Sequence, residues 1–145
     1  MEVAVYNAGN NHPGRIVEME TEYFENSWRV CCLGGFLFGR EAVKRMLPKK
    51  NGTVIFTGAS ASLRGRANFG AFNSAKSGLR TLAQAMSKEY GPEGIHVAHV
   101  IIDGAINGEK IKTKAPEYAA KLGEEGMINP VSYTHLTLPT MALVG

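Results

Sequence analysis

The fold of this chain is decided by residues 53–102, which read TVIFTGASASLRGRANFGAFNSAKSGLRTLAQAMSKEYGPEGIHVAHVII. The stretch opens with a β-rich run, Thr53 to Phe56, and continues through a loop of small residues, Gly58 to Ser62. Apolar residues then recur at helical spacing from about Asn73 to Tyr90. A further β-rich run, Ile95 to Ile102, closes the stretch. This order is typical of a strand–helix–strand unit, whose two strands lie parallel in one sheet.

The segments on either side continue the alternation. Val3 to Tyr6 is a short apolar run that predicts a buried strand, and apolar residues from Phe24 to Met46 recur at the spacing of one long helix. A short helix is predicted from Pro116 to about Glu125, because proline favours a helix start and the nearby glycines favour its end. The alternation predicts an α/β fold, a partial doubly wound parallel sheet of the Rossmann type with helices on both faces.

The loops at one edge of this sheet are the candidate binding site. Ligands of open α/β sheets bind beyond the carboxyl ends of the strands. In this sequence those positions are Asn7 to Gly9, Gly58 to Ser62 and Asp103 to Asn107. We therefore expect three loops to converge on one site.

The composition argues against several classes of function. The 145 residues carry a net charge of +3 from scattered Lys and Arg, without a nucleic-acid motif, so no nucleic-acid partner is expected. No apolar run approaches the roughly 20 residues that a membrane-spanning helix needs, so no membrane is expected. Cys31 and Cys32 are adjacent in a predicted helix, where a disulfide between them would be strained, which favours reduced thiols and a cytoplasmic location. The four histidines share no metal-ligand spacing, and no metal is expected.

Three motifs of the sequence resemble the short-chain dehydrogenase/reductase (SDR) family from its fourth strand to its sixth. Asn7-Ala8-Gly9 matches the Asn-Ala-Gly turn of the family, and Phe72 to Lys76 occupies the start of its Tyr-x-x-x-Lys helix. The run Asp103 to Ile106 resembles its Pro-Gly-x-Ile loop. The resemblance covers roughly residues 3–129. It implies an oxidoreductase that uses NAD or NADP and acts on a small alcohol or ketone.

The resemblance also implies which residues contact the cofactor. In the family, the lysine binds the nicotinamide ribose and lowers the pKa of the catalytic tyrosine. That lysine is retained as Lys76. The implied cofactor-binding residues are Asn7, Ala8, Gly9, Lys76, Gly104 and Ile106.

The implied catalytic residues are mostly replaced. Phe72 stands at the tyrosine position and has no phenolic proton to transfer. The serine of the family would fall on Ala59, which leaves the adjacent Ser60 as a stand-in. The helix asparagine of the family aligns with Cys31. The resemblance therefore predicts a degenerate active site in which Lys76 and Ser60 are the remaining candidates.

The sequence contains no glycine-rich turn after a strand that could hold a pyrophosphate. In the family that turn belongs to a first βαβ unit, and three strands precede the Asn-Ala-Gly strand. Residues 1–130 are therefore interpreted as the C-terminal part of an SDR-type domain that lacks the first nucleotide-binding unit. We expect the fragment itself to be inactive, and Val3 to Tyr6 to form an unpaired apolar edge.

Residues 131–145, VSYTHLTLPTMALVG, differ from the corresponding segment of the family. They resemble translated sequencing-adapter read-through, and we interpret them as an atypical, artefactual tail. The alternative is a genuine short terminal strand, which the alternation at residues 135–138 favours.

Two hypotheses about function remain open. The first is an oxidoreductase with a divergent site, in which Ser60, a water molecule or the substrate supplies the missing acid. The second is a non-catalytic SDR-like binding or scaffold protein, in which Phe72 marks lost chemistry. In either case the resemblance implies a homo-oligomer formed through helices 24–46 and 73–90, although their apolar stripes equally describe helices packed on their own sheet.

Overall fold

The parallel sheet that the sequence predicts is present. The structure is a computed structural model, and it describes residues 1–104, 109–123 and 126–128. The strands are β1 (Val3–Tyr6), β2 (Gly52–Ala59) and β3 (Ile95–Ile102). The helices are α1 (Thr21–Trp28), α2 (Gly34–Met46), α3 (Gly70–Tyr90), α4 (Glu109–Lys114) and α5 (Pro116–Leu122). Residues 1–102 form one compact unit, and α4 and α5 belong to a second one.

The three strands lie in the order β1-β2-β3, and both pairings are parallel. Ala4 faces Val54, which in turn faces Val97, so these three side chains share one face of the sheet. Parallel strands require crossover connections, and the helices between them supply these. The carboxyl ends of all three strands therefore lie at the same edge, as the alternation of strands and helices predicts.

The core lies between one face of this sheet and the helices α2 and α3. Side chains at the centre are fully buried, and each large one contributes about 1.5–3 kcal/mol by leaving water. The sheet supplies Ala4, Val54, Phe56, Ile95 and Val97, and the helices supply Ala42, Val43, Met46, Leu79, Ala83 and Met86.

The opposite face of the sheet is open at β1. Val3 and Val5 alternate with the buried Ala4, and they are 58% and 52% exposed. The expected cover of helices on both faces is therefore wrong for this strand, because α2 and α3 pack on the same face. Among the described residues β1 is also an edge strand, since it pairs only with β2.

The predicted single helix from Phe24 to Met46 is interrupted. It begins earlier, at Thr21, and residues Arg29–Leu33 form a π-helical turn between α1 and α2. In this turn the N–H of Gly34 donates to the carbonyl of Arg29, one residue farther back than in an α-helix. The carbonyl of Val30 instead accepts a hydrogen bond from the Tyr6 hydroxyl. A contact with β1 thus accompanies the irregular turn, which helical periodicity alone does not predict.

Gly34 and Gly35 allow this helical segment to approach the rest of the core closely. A Cβ atom added to Gly34 would lie 2.1 Å from the Tyr6 hydroxyl oxygen. One added to Gly35 would lie 2.4 Å from a methyl carbon of Leu79 on α3. Neither position therefore tolerates a side chain without displacement of its neighbours.

Several boundaries of strands and helices differ from those that the sequence predicts. β2 runs on through Gly58 and Ala59, which were predicted as loop, because both residues pair with β3. α3 begins at Gly70, three residues before the predicted start at Asn73. The helix that starts at Pro116 ends at Leu122, where Gly123 has a φ of 65° that favours glycine, and the predicted end at Glu125 lies outside the described residues. The sequence pattern did not predict α4.

Candidate functional site

The first two predicted loops lie next to each other at the carboxyl edge of the sheet. Asn7 to Gly9 follow β1, and a 3-10 turn, Ser60–Ser62, follows β2. The third loop begins at Asp103 in the second unit, and its residues 105–108, including Ile106 and Asn107, lie outside the described residues. Gly104 has a φ of 140°, a conformation that few other residues adopt.

Lys76 connects these two loops. Its side chain extends from α3, and the residue is only 5% exposed. The ammonium group donates to the carbonyl of Thr57 at 2.9 Å and to the carbonyl of Ala8 at 3.5 Å. A Cβ atom added to Gly9 would lie 3.5 Å from Lys76 Nζ. The structure thus brings the lysine of the predicted motif to the predicted Asn-Ala-Gly turn.

The buried position of Lys76 is costly for a charged group. Burial lowers the pKa of Lys76, and the neighbouring Cys31 acts in the opposite direction. Lysine is almost never buried without partners, and perturbed pKa values cluster at functional sites. Because an ammonium has three N–H donors and two are directed at backbone carbonyls, one donor remains for a further acceptor.

Cys31 faces the same turn from the helical side. It is fully buried in the π-helical turn, and its thiol lies 3.7 Å from the side-chain oxygen of Asn10. Its sulfur would lie 3.9 Å from a Cβ atom added to Gly9. The sulfur of Cys32 instead lies 3.1 Å from a Cβ position at Gly78 on α3. The two thiols are free and diverge, as the sequence predicts for adjacent helical cysteines.

Phe72 lies one helical turn before Lys76. Its ring centroid is 5.8 Å from Lys76 Nζ, which is within the range of a cation–π contact. The ring carries no hydroxyl, so it can neither donate nor accept a proton. The hydroxyl of Tyr6 is bonded to Val30, and that of Tyr23 is bonded to the backbone of His12. Neither tyrosine is directed at Lys76.

The turn that carries Ser60 is held by two side chains of α3. Asn73 donates to the carbonyls of Ala61 and Arg64, and its side-chain oxygen accepts from the N–H of Arg66 at 2.8 Å. Ser77 also lies within hydrogen-bond distance of the Ala61 carbonyl, at 3.4 Å. These two residues were not predicted as part of the site. Their spacing of four residues on one helix face is the signal that could have indicated them.

A buried histidine lies beneath the same turn. His99 is on β3, opposite Phe56, and it is 0% exposed. Its Nε2 lies 3.3 Å from the hydroxyl oxygen of Ser62, and its Nδ1 has no partner among the described residues. Burial, and then the charges of Lys76 and Arg80, lower the pKa of His99 to about 4. His99 is therefore neutral near pH 7, and the sequence offered no pattern that singled it out.

Two further properties concern the described part of the chain. None of its groups of His, Cys, Asp and Glu brings three or more such residues close enough to hold a metal ion. None of its helices is both long enough and apolar enough to cross a membrane.

Comparisons with known proteins agree with this geometry. The sequence model of a family described as short chain dehydrogenase matches residues 1–118. A 2-dehydro-3-deoxy-D-gluconate 5-dehydrogenase from Formosa agariphila is 31% identical over 97 residues, which are 67% of this chain and 37% of that protein. The chain spans less than half the length of the curated relatives that it matches.

Solved structures give the same fold. A short-chain dehydrogenase from Rhodopseudomonas palustris is 37% identical, with a TM-score of 0.68 over 89% of this chain and 62% of that one. A gluconate 5-dehydrogenase from Burkholderia cenocepacia, solved with NADP and tartrate, is 18% identical, with a TM-score of 0.75 over 83% of this chain and 46% of that one. At this lower identity the likeness concerns the fold alone. From the family match, the parallel sheet and the position of Lys76 at the Asn-Ala-Gly turn, we conclude that the chain belongs to the short chain dehydrogenase family.

Proposed function

We propose that this chain contributes to an NAD(P)-dependent oxidoreductase that acts on a small alcohol or ketone. The observation that carries this proposal is the position of Lys76. A lysine that is 5% exposed, and that donates to the carbonyls of both Ala8 and Thr57, is held at the sheet edge where ligands of this fold bind. A purely structural role would not need a desolvated cation there.

The residues present fit one end of the cofactor. The third N–H donor of Lys76 has no partner among the described residues and suits a ribose hydroxyl. Asn7 to Gly9 offer a backbone that a flat ring can approach closely, since Gly9 has no side chain. When bound, NAD(P) supplies or accepts the hydride. Gly104 and Ile106 remain proposed contacts. A glycine-rich turn for the pyrophosphate is absent from this sequence, so the proposal concerns the nicotinamide end alone.

A group other than Phe72 must supply the proton that accompanies the hydride. Phe72 can shield Lys76 from water and stack against a ligand, but it cannot transfer a proton. Ser60 follows β2 directly and is adjacent in sequence to Ala59, which occupies the position of the family serine. We propose that Ser60, a water molecule or the substrate supplies this proton.

Phe72 also favours a second candidate function, a non-catalytic SDR-like binding or scaffold protein. Such a protein would lose turnover, with or without cofactor binding at the Lys76 site. The aromatic ring at 5.8 Å from the ammonium group stabilises Lys76 without any chemistry. The two candidates differ in turnover, whereas both allow the cofactor to bind.

Titration with NADH and NADPH, followed by fluorescence, tests the proposal on the protein expressed from its complete coding sequence. Lys76→Met removes the ammonium group and keeps the length of the side chain, so we expect at least about tenfold weaker binding. Lys88→Met is the matched control, because Lys88 is exposed on the same helix. A folded protein that binds neither cofactor would refute the oxidoreductase proposal and leave the scaffold role.

The oligomer is a separate proposal. Phe24, Trp28, Phe36 and Leu37 are large apolar side chains on the segment 24–46, and each is at least 40% exposed. Such side chains are typical of a protein interface. On helix α3, all of which is described, no large apolar residue is exposed to this extent. We therefore propose that residues 24–46 contribute more of a homo-oligomer interface than residues 73–90.

A further inference from the structure

The turn that carries Ser60 is attached to the sheet by an arrangement that the proposed reaction does not use. The hydroxyl oxygen of Ser62 accepts the backbone N–H of Ala59 at 3.2 Å. The same oxygen lies 3.3 Å from His99 Nε2. Ser62 therefore joins the last residue of β2 to a side chain of β3 and fixes both ends of the turn.

The imidazole of His99 fits tightly against this turn. A Cβ atom added to Gly58 would lie 2.1 Å from its Cε1 and 2.2 Å from its Nε2, so the ring lies directly over the backbone of Gly58. The ring is fully buried, while its Nδ1 has no partner among the described residues. An apolar side chain of similar size would fill this space without leaving a buried nitrogen unsatisfied. Packing alone therefore does not account for a histidine at this position.

We propose that neutral His99 is a positioning residue that accepts a hydrogen bond from Ser62 and thereby fixes the turn that presents Ser60. The inference rests on the proposed function, in which Ser60 lies beside the reacting group. When the Ser62 hydroxyl donates to His99 Nε2, its lone pairs remain directed at the N–H of Ala59. A single neutral imidazole thus orients both hydrogen bonds of Ser62.

Protonation of His99 removes this arrangement. The imidazolium has no lone pair on Nε2, so Ser62 can no longer donate to it and must instead accept from its N–H with one of the two lone pairs of the hydroxyl. The charged groups that face the ring are Lys76 and Arg80 of α3, and both are positive. The residues that lie against it on β2 are Phe56 and Gly58, which do not titrate. A new positive charge would therefore be repelled, and the turn would loosen in acid.

Amide exchange measured by NMR on the protein expressed from its complete coding sequence tests the proposal. The readout is the protection factor of the Ala59 amide, near neutral pH and at about pH 4, the pKa of His99. In the unaltered protein we expect protection at neutral pH and about tenfold less in acid. Ser62→Ala removes the acceptor and should show the lower protection at both pH values. Ser74→Ala is the matched control, since its hydroxyl bonds to carbonyls in the first turn of α3.

Two substitutions of His99 separate positioning from packing. His99→Gln keeps a hydrogen-bond acceptor that does not titrate, and we expect protection of Ala59 at both pH values. His99→Leu keeps the volume without an acceptor, and we expect reduced protection at both. Full protection of Ala59 in a folded His99→Leu protein, or the same acid loss in His99→Gln, would overturn the proposal.

Cofactor titration and turnover on the same variants keep the two proposals distinguishable. We expect NADPH affinity to stay within about twofold of the unaltered protein, and kcat of Ser62→Ala and His99→Leu to fall about tenfold with KM unchanged. If the protein does not bind the cofactor but shows the predicted exchange pattern, the proposed function is refuted, whereas the structural part of this inference stands. Normal kcat in both variants would show that the turn needs no positioning by His99.

Discussion

Substitution of Gly58 by alanine tests the tightest contact near the site. The added methyl carbon would lie 2.1 Å and 2.2 Å from two atoms of the His99 ring, and 2.9 Å from the Ser62 hydroxyl oxygen. Ordinary carbon contacts are about 3.5–4.0 Å, so the ring would have to move by more than about 1 Å. The ring is 0% exposed, so it cannot move aside into solvent without disturbing the residues packed around it.

The expected cost follows from these contacts. Overpacking of a buried site costs about 1–3 kcal/mol, and loss of the Ser62–His99 hydrogen bond adds about 1 kcal/mol. We therefore expect Gly58→Ala to lower the free energy of unfolding by about 3 kcal/mol. With a urea dependence of about 2 kcal/mol per molar, the unfolding midpoint would fall by about 1.5 M.

The matched control is Gly65→Ala in the following loop. A Cβ atom added there meets nothing within 4 Å, and Gly65 is not among the glycines with a positive φ. Its expected effect is a slight gain of about 0.5 kcal/mol from reduced entropy of the unfolded chain. Urea unfolding followed by circular dichroism measures both variants. A midpoint for Gly58→Ala within about 0.3 M of the unaltered protein would show that the added methyl group does not clash with His99.

A double variant tests whether the methyl group added by Gly58→Ala clashes with the His99 ring. His99→Ala removes the ring, so Gly58→Ala should cost less than about 1 kcal/mol in that background. An unchanged cost in the double variant would place the strain elsewhere.

Three other predictions concern chemistry, pH and assembly. Phe72→Tyr restores a phenolic proton donor and should raise NADPH-dependent turnover at least about 100-fold if the protein is an oxidoreductase; unchanged turnover with intact binding would mean that Ala59 and Cys31 limit the site as much. Folding lowers the pKa of His99 from 6.5 to about 4, so its contribution to the free energy of unfolding is complete above pH 6.5. As the pH falls to about 4, this contribution is lost, and the free energy of unfolding decreases by up to about 3 kcal/mol. His99→Gln should abolish this part of the acid dependence in urea titrations. Trp28→Glu should shift the mass measured by light scattering toward the monomer, whereas Val17→Glu should not, although Val17 is 81% exposed and more accessible than Trp28.

Sequence patterns determined the elements that depend on local order. β1 and β3 begin and end where the apolar runs predict, at Val3–Tyr6 and Ile95–Ile102, because a strand of a parallel sheet is typically a short, nearly continuous apolar run. The spacing of four between Phe72 and Lys76 places both on one face of α3 whatever surrounds them. The Asn-Ala-Gly turn was also predictable from the local sequence, since it directly follows a strand.

Contacts between distant parts of the chain decided the rest, and no local pattern encodes them. The Tyr6 hydroxyl reaches a carbonyl 24 residues away in the π-helical turn, and Ser62 meets His99 across 37 residues. β2 extends through Ala59 only because β3 lies beside it and pairs with it as far as Ile102. Local sequence therefore specifies which strands and helices exist and which motif carries Lys76, whereas the folded chain alone shows what surrounds that lysine and why a buried histidine lies beneath the turn before α3.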